Sequence, residues 1–284
     1  MRHSLFALKH PLVIFVYFCA VIVLCMCTLN PVFVLLSFLA ASALLIATSG
    51  IQKWARTLLI FAPALLIIAG ANFFFNRIGE TILFSWGTWN FSLESLIYGV
   101  TSSFMLLAVI IWFMNYQEIM TNDKFLALFS RIAPTSSLVV SMIFRFIPQL
   151  SAQGRAITLA QKTLLGDAPD TKRGAVSYTA RITSILMGWS MEQSIETADS
   201  MRARGYGAQR RTTFSPFRFT LGDGIALGVL CALLIASAGV LIANRNNAIF
   251  YPYFELTFPP LWQLIVYSAL ITFPFLIEAR GRLS

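Results

Sequence analysis

The sequence predicts an all-α polytopic membrane protein of about six transmembrane helices, with an insert of amphipathic helices between spans four and five. Three observations carry that prediction. The 284 residues are 57% hydrophobic and 12% charged, whereas a soluble domain is about 25% charged and about 45–50% apolar. Six stretches of 18 to 20 residues hold no Asp, Glu, Lys, Arg or His. The net charge of +9 lies outside those stretches, a pattern of membrane topology rather than of a nucleic-acid groove.

The six stretches are Pro11–Thr28, Pro31–Thr48, Thr57–Phe75, Ser95–Met114, Gly224–Ala243 and Pro259–Ile277. At about 1.5 Å per residue each can cross a hydrocarbon core of roughly 30 Å, some only just. The first is long for the apolar region of a signal peptide, and no small-x-small cleavage pattern precedes the next span, so it is expected to be retained. Cys19, Cys25, Cys27 and Cys231 all fall inside spans, where small apolar packing residues are expected rather than disulfides or metal ligands.

Orientation follows from the basic residues. With both termini in the cytoplasm, thirteen Lys/Arg fall in the central segment, six more in the other inside segments, and only Arg77 and Arg245 outside. Long segments count for little in the positive-inside rule, so the comparison that matters is six against two. Trp54, Trp86, Trp89, Trp112 and Trp262 stand at or near span ends, where an interfacial belt places them. The expected division is a four-span region over 1–114, a cytoplasmic region over 115–223 and a two-span region over 224–284.

Three helices are expected in the central region. A short one lies near Lys124–Ile132 and ends before Pro134; a second runs from about Ser136 to Leu165 and ends near Gly166; a third runs from about Ala175 to Arg204 and ends at Gly205. Arg145 and Pro148 in the apolar run Ser136–Leu150 favour an interfacial helix over a seventh span. The third helix sets Ile182, Ile185, Leu186 and Trp189 on one face and Glu192, Glu196 and Asp199 in an acidic stripe. Arg202 and Arg204 in its last turn suit the negative end of the helix dipole.

Several chemistries lack their residues. The histidines are His3 and His10, which leaves a His-based hydrolase or a metal site unsupported, and no catalytic or metal-ligating residue is assigned. No Gly-Lys dipeptide occurs, so a Walker A loop is absent and any ATP hydrolysis belongs to another chain. The charge-free spans hold no ionisable group to bind a coupling ion, which argues against independent ion-coupled transport.

One run carries a sharper reading: Ala198-Asp-Ser-Met-Arg-Ala-Arg-Gly-Tyr-Gly207, followed by Arg210-Arg211-Thr212. It ends an amphipathic helix just before the penultimate span and resembles the signature of the energy-coupling factor (ECF) transporter T components, the family that includes the cobalt-transporter Q subunits. Arg145-Phe146-Ile147-Pro148 is similar to the family's Arg-Phe-Ile-Pro at the start of the preceding coupling helix, and Ala160-Gln161-Lys162 to a segment further along it. One position departs. Many members carry a second Ala-Arg-Gly after that segment, where counting from Pro148 gives Thr163-Leu164-Leu165, with Lys162 the nearest cation; a lysine lacks the planar fork of a guanidinium.

The resemblance implies a non-catalytic coupling subunit of a vitamin, vitamin-precursor or metal-ion importer in the cell membrane of a prokaryote. It implies two ATP-binding-cassette ATPases, which bind ATP and magnesium, and a membrane S component, which selects the cargo. This chain itself would hold no cofactor and no nucleic acid. Ala203, Arg204 and Gly205 would form the ATPase-coupling motif, supported by Met201, Arg202 and Tyr206. Two other classes stay open: a conventional ABC permease subunit, which would bind substrate itself, and a membrane-embedded lipid-modifying enzyme, whose only acidic candidates are Glu192, Glu196 and Asp199.

Overall fold

The computed structural model describes residues 5–76, 81–86, 89–130, 132–166, 171–208, 217, 219–243, 248–249, 255–256 and 258–277. The chain is an all-α polytopic membrane protein in which the strands among the described residues form two short hairpins, and it divides into two compact units, 1–125 with 217–284, and 126–216.

Among the described residues the first unit holds six apolar helices: α1 (Pro11–Cys27), α2 (Pro31–Ser49), α3 (Ile51–Phe75), α4 (Leu93–Ile119), α8 (Leu221–Ala243) and α9 (Leu261–Ile271). Of these α2, α3, α4 and α8 are long and apolar enough to cross a membrane. With 17 residues, α1 reaches about 25 Å, the lower limit for a span. The sixth expected span is broken. With 11 residues, α9 is about 16 Å long. It stops at Thr272, one further helical turn follows over 273–277, and Pro274 has no N–H with which to continue the ladder across the break. The Tyr17 hydroxyl donates to the Ile271 carbonyl at 2.9 Å, which satisfies an acceptor the interruption leaves over.

Local chemistry starts the helices where the sequence changes character. His10 Nδ1 and Asn30 Oδ1 each accept the amide two residues on, at 3.2 and 3.1 Å, and a proline follows each as the first helical residue. The proline needs no amide partner there, and its fixed φ suits the first turn. Two strands, β1 (Ile82–Trp86) and β2 (Trp89–Ser92), form an antiparallel hairpin ahead of α4; β3 (Ala248–Ile249) and β4 (Glu255–Leu256) form another ahead of α9.

The core lies among α1, α2, α4 and α9. Tyr17 and Phe18 of α1, Phe33 of α2, Trp112 of α4 and Tyr267 of α9 are fully buried. Trp112 thus departs from the expected interfacial belt: it packs edge-on against Tyr17 and Phe18, and its Nε1 donates to Ser37 Oγ at 3.0 Å. Ser37 in turn donates to Cys25 Sγ at 3.4 Å, so one hydroxyl ties α1, α2 and α4. Trp262, more than half exposed, sits at the start of α9 as the belt requires. The side chains of Trp86 and Trp89 lie outside the described residues.

The helices also extend past the charge-free stretches and take ionisable residues into their end turns. Lys53 of α3 pairs with Glu118 of α4. Glu94, in the first turn of α4, is 1% exposed and accepts the Thr81 amide and hydroxyl. Asp223, in the first turn of α8, is 4% exposed; it accepts the Thr220 amide at 3.2 Å and the Thr220 hydroxyl at 2.8 Å, and Lys9 Nζ stands 3.4 Å away. Both carboxylates occupy the positive end of a helix dipole.

Outside those spans, α5 (Asn122–Phe129) follows α4 directly. Lys124 donates to the Ile119 carbonyl at 2.8 Å, and burial pushes its ammonium below the ordinary lysine value.

Candidate functional site

Two 32-residue helices, α6 (Pro134–Leu165) and α7 (Lys172–Ala203), dominate the second unit. They pair along their middles. Phe146 stacks on Trp189 with centroids 5.9 Å apart and planes 11° from parallel. A Cβ at Gly154 would lie 3.8 Å from Leu186 Cδ2, and Tyr178 donates to the Thr158 carbonyl at 3.5 Å. Positions rise along α6 as they fall along α7, so the pair is antiparallel and the two C-termini point to opposite ends of it. At about 1.5 Å per residue, Leu165 lies about 16 Å beyond Gly154 in one direction and Ala203 about 26 Å beyond Leu186 in the other.

The pair buries little of its own apolar surface. Ile157 is the one buried hydrophobic residue of this unit among those described, whereas Val139, Ile143 and Ile147 on α6, and Met187, Met191 and Ile195 on α7, are between 49% and 71% exposed. Each triplet recurs every fourth residue and so forms one stripe. Two helices joined by one buried aliphatic side chain and an aromatic stack have no core to sustain them alone. Such stripes belong against a lipid surface or a protein partner.

The run Ala203-Arg204-Gly205 lies at the C-terminus of α7 and is exposed. Gly205 takes φ +79°. Its amide donates to the Arg202 carbonyl at 2.9 Å and the Tyr206 amide to the Met201 carbonyl at 3.0 Å. These are the 5→2 and 6→1 bonds of a Schellman ending, which needs a left-handed residue after the cap. No atom lies within 4 Å of where a Cβ at Gly205 would stand, so the glycine is required by backbone conformation and not by crowding within this chain. Arg204 is the cap itself. Arg202 pairs loosely with Asp199 at 4.0 Å on the exposed surface, and Tyr206 is 45% exposed.

The other residues singled out in the sequence lie elsewhere on the pair. Arg145-Phe146-Ile147-Pro148 sits inside α6 rather than at its start, because the helix already begins at Pro134 and continues through Pro148. The carbonyl that Pro148 leaves unbonded belongs to Phe144, itself 44% exposed, so water or a partner can satisfy it. Lys162, Thr163, Leu164 and Leu165 form the last turn of α6, and Leu164 is 76% exposed. Gly166 then takes φ +80° and ψ −169°, a region open essentially to glycine alone. The two helix ends differ in construction: Gly166 is itself the cap of α6, whereas α7 is capped by Arg204 with Gly205 following it.

Glu192, Glu196 and Asp199 are exposed on α7, and Glu196 accepts a hydrogen bond from Gln193 at 3.2 Å. They lie along the exposed surface of the helix. Among the described residues no group of three or more His, Cys, Asp or Glu is placed to hold a metal. Arg210-Arg211-Thr212 lies outside the described residues.

No family model matches this chain. It is similar to the energy-coupling factor transporter transmembrane protein EcfT of Bacillus selenitireducens, at 33% identity over 126 residues, which is 41% of this chain and 44% of that protein. The chain thus spans less than half the length of the curated relative it matches.

Proposed function

We propose that this chain is the transmembrane coupling subunit of an energy-coupling factor importer, joining two ATP-binding-cassette ATPases to a membrane S component that captures a vitamin, a vitamin precursor or a metal ion. The observation that carries the reading is the end of α7: an exposed arginine capping a long helix, followed by a glycine turn with no atom near the position a Cβ would take. Similarity to an EcfT protein supports the same assignment. The chain itself is non-catalytic. ATP and magnesium belong to the ATPases and cargo selection to the S component, and the assembly sits in a prokaryotic cell membrane with both termini of this chain cytoplasmic.

Each part of the second unit then has a task. The guanidinium of Arg204 pairs with carboxylates in an ATPase groove, an arrangement its planar fork suits better than a lysine would. The Schellman turn lets the chain leave that groove at once, because the backbone reverses within Gly205 and Tyr206. When the ATPases close on ATP the helix end moves with them. Rigidity along α7 and the Phe146–Trp189 stack pass the motion to α6. The bare stripes of Val139, Ile143 and Ile147 and of Met187, Met191 and Ile195 lie against lipid and the S component, where apolar contact tolerates sliding and methionine adapts to irregular surfaces.

The test is association. Arg204→Glu reverses the charge at an exposed helix end and, among the described residues, breaks no side-chain contact that holds the fold. Insertion and yield stay at wild-type levels while the ATPases no longer co-purify. A variant that retains its ATPases at wild-type stoichiometry refutes the role of Arg204.

A further inference from the structure

The antiparallel pairing brings the C-terminal half of α6 against the N-terminal half of α7: Tyr178 reaches the Thr158 carbonyl, and Leu186 faces Gly154. Those two halves carry the cations. Residues 151–186 hold Arg155, Lys162, Lys172, Arg173 and Arg181 against Asp167 and Asp170, which lie outside the described residues, whereas residues 187–204 hold three carboxylates and two arginines. All five cations are exposed. Ser151, Arg155, Thr158 and Lys162 follow one another at four, three and four residues, and so form one stripe along α6. A groove of about 530 Å³ opens beside it, lined by Ser151, Gly154, Arg155, Thr158, Leu159 and Ile182.

The start of α7 adds an independent sign. Its first turn holds no acidic residue, and Thr171 makes no side-chain cap bond. Lys172 and Arg173 stand instead at the positive end of the helix dipole, a placement unfavourable by itself. An anion bound there offsets both the cations and the first-turn amides.

We infer that this half of the helix pair is a docking surface for the anionic phospholipid headgroups of the bilayer the chain spans. Their phosphates lie along the Arg155–Lys162 stripe and at the start of α7, and their apolar parts against Leu159 and Ile182. Clusters of about four to eight Lys/Arg on an amphipathic helix beside a span hold acidic lipid in this way. The sequence threads the unit between α4 and α8, which keeps a bilayer surface within its tether. Leu159, Leu164 and Val176, between 65% and 76% exposed in the same half, suit the headgroup boundary and would gain nothing from a soluble anion. The inference requires only that the chain spans a bilayer and is independent of the coupling role.

Hydrogen exchange on the full chain in lipid nanodiscs tests this. One set holds phosphatidylcholine alone, another an equal mixture with phosphatidylglycerol, and a third, of phosphatidylcholine, receives inorganic phosphate. The expected result is slower exchange over residues 155–181 with phosphatidylglycerol and no change with inorganic phosphate, while residues 187–204 exchange alike in all three. A cation near an anionic surface is worth about a fivefold change in occupancy, so the triple variant Arg155→Gln, Lys172→Gln, Arg173→Gln should weaken the protection by about a hundredfold. Equal exchange of the wild-type chain in the two lipids, a comparison that needs no variant, overturns the inference, as does protection that survives in the triple variant. Protection by inorganic phosphate in phosphatidylcholine overturns the assignment to lipid.

Discussion

Replacing Gly205 with alanine isolates the turn that ends α7. With φ at +79° and no neighbouring atom within 4 Å of the new methyl, the steric cost comes from the residue's own backbone and from nothing around it. A left-handed non-glycine residue costs about 1–2 kcal/mol. The Gly205 and Tyr206 amides, which donate to the carbonyls of Arg202 and Met201, lose protection by the same amount, roughly 5- to 30-fold in opening equilibrium. Hydrogen exchange on the detergent-solubilised protein reads this directly: faster exchange over residues 202–206, with the middle of α7 unchanged. Gly205→Asn serves as the control, because asparagine tolerates the left-handed region, and its exchange should lie closer to wild type. Equal exchange in wild type and Gly205→Ala refutes the Schellman ending. Equal damage from Asn and Ala shows that the methyl meets a neighbour rather than a torsional cost.

Three further outcomes follow from the membrane unit and its edge. Ser37→Ala strands the buried Trp112 Nε1 and removes the donor to Cys25; it should lower stability in a detergent unfolding titration by about 0.6–2 kcal/mol, and an unchanged midpoint would show that Trp112 finds another acceptor. A Cβ at Gly99 would stand 2.9 Å from the Ala69 carbonyl oxygen and 3.0 Å from Asn72 Cβ, so Gly99→Ala must separate α3 from α4 and should cost about 1–3 kcal/mol by the same titration; a silent substitution would mean that the two helices do not approach this closely. Burial lowers the Lys124 pKa, so the folded chain loses that proton at a lower pH than the unfolded chain, and stability rises with pH between the folded and the ordinary lysine value. Lys124→Met should flatten that alkaline rise, and an identical slope in the variant would contradict it.

Much of the architecture is legible in the sequence because the bilayer makes charge-free length a direct report of a span. Where tertiary partners decide, it is not. The break in α9 needed Thr272 and Pro274 weighed against an otherwise uninterrupted apolar run, and proline is common enough in spans that its presence alone does not predict a stop. Trp112 near a span end reads as a belt residue, yet Ser37 on another helix gives its indole an acceptor in the core. The burial of Glu94 and Asp223 is not legible in the sequence, because Thr81, Thr220 and Lys9, which supply their partners, come together only in the fold. At the candidate site both helix ends are legible, because Gly166 and Gly205 each follow an amphipathic run and each takes positive φ, whereas the place of Arg145-Phe146-Ile147-Pro148 inside α6 is not, since a proline reads equally as a helix start.

The central claim is that this chain couples partner ATPases to a separate substrate-capturing membrane protein. The most direct test is mild-detergent purification of the tagged chain from its native membranes, with the stoichiometry of the complex read by native mass spectrometry. The account predicts one copy of this chain with two ATPase polypeptides and one small membrane protein that carries the bound cargo. A complex of two permease-type subunits with two ATPases and no such protein, with cargo bound to this chain, would contradict it.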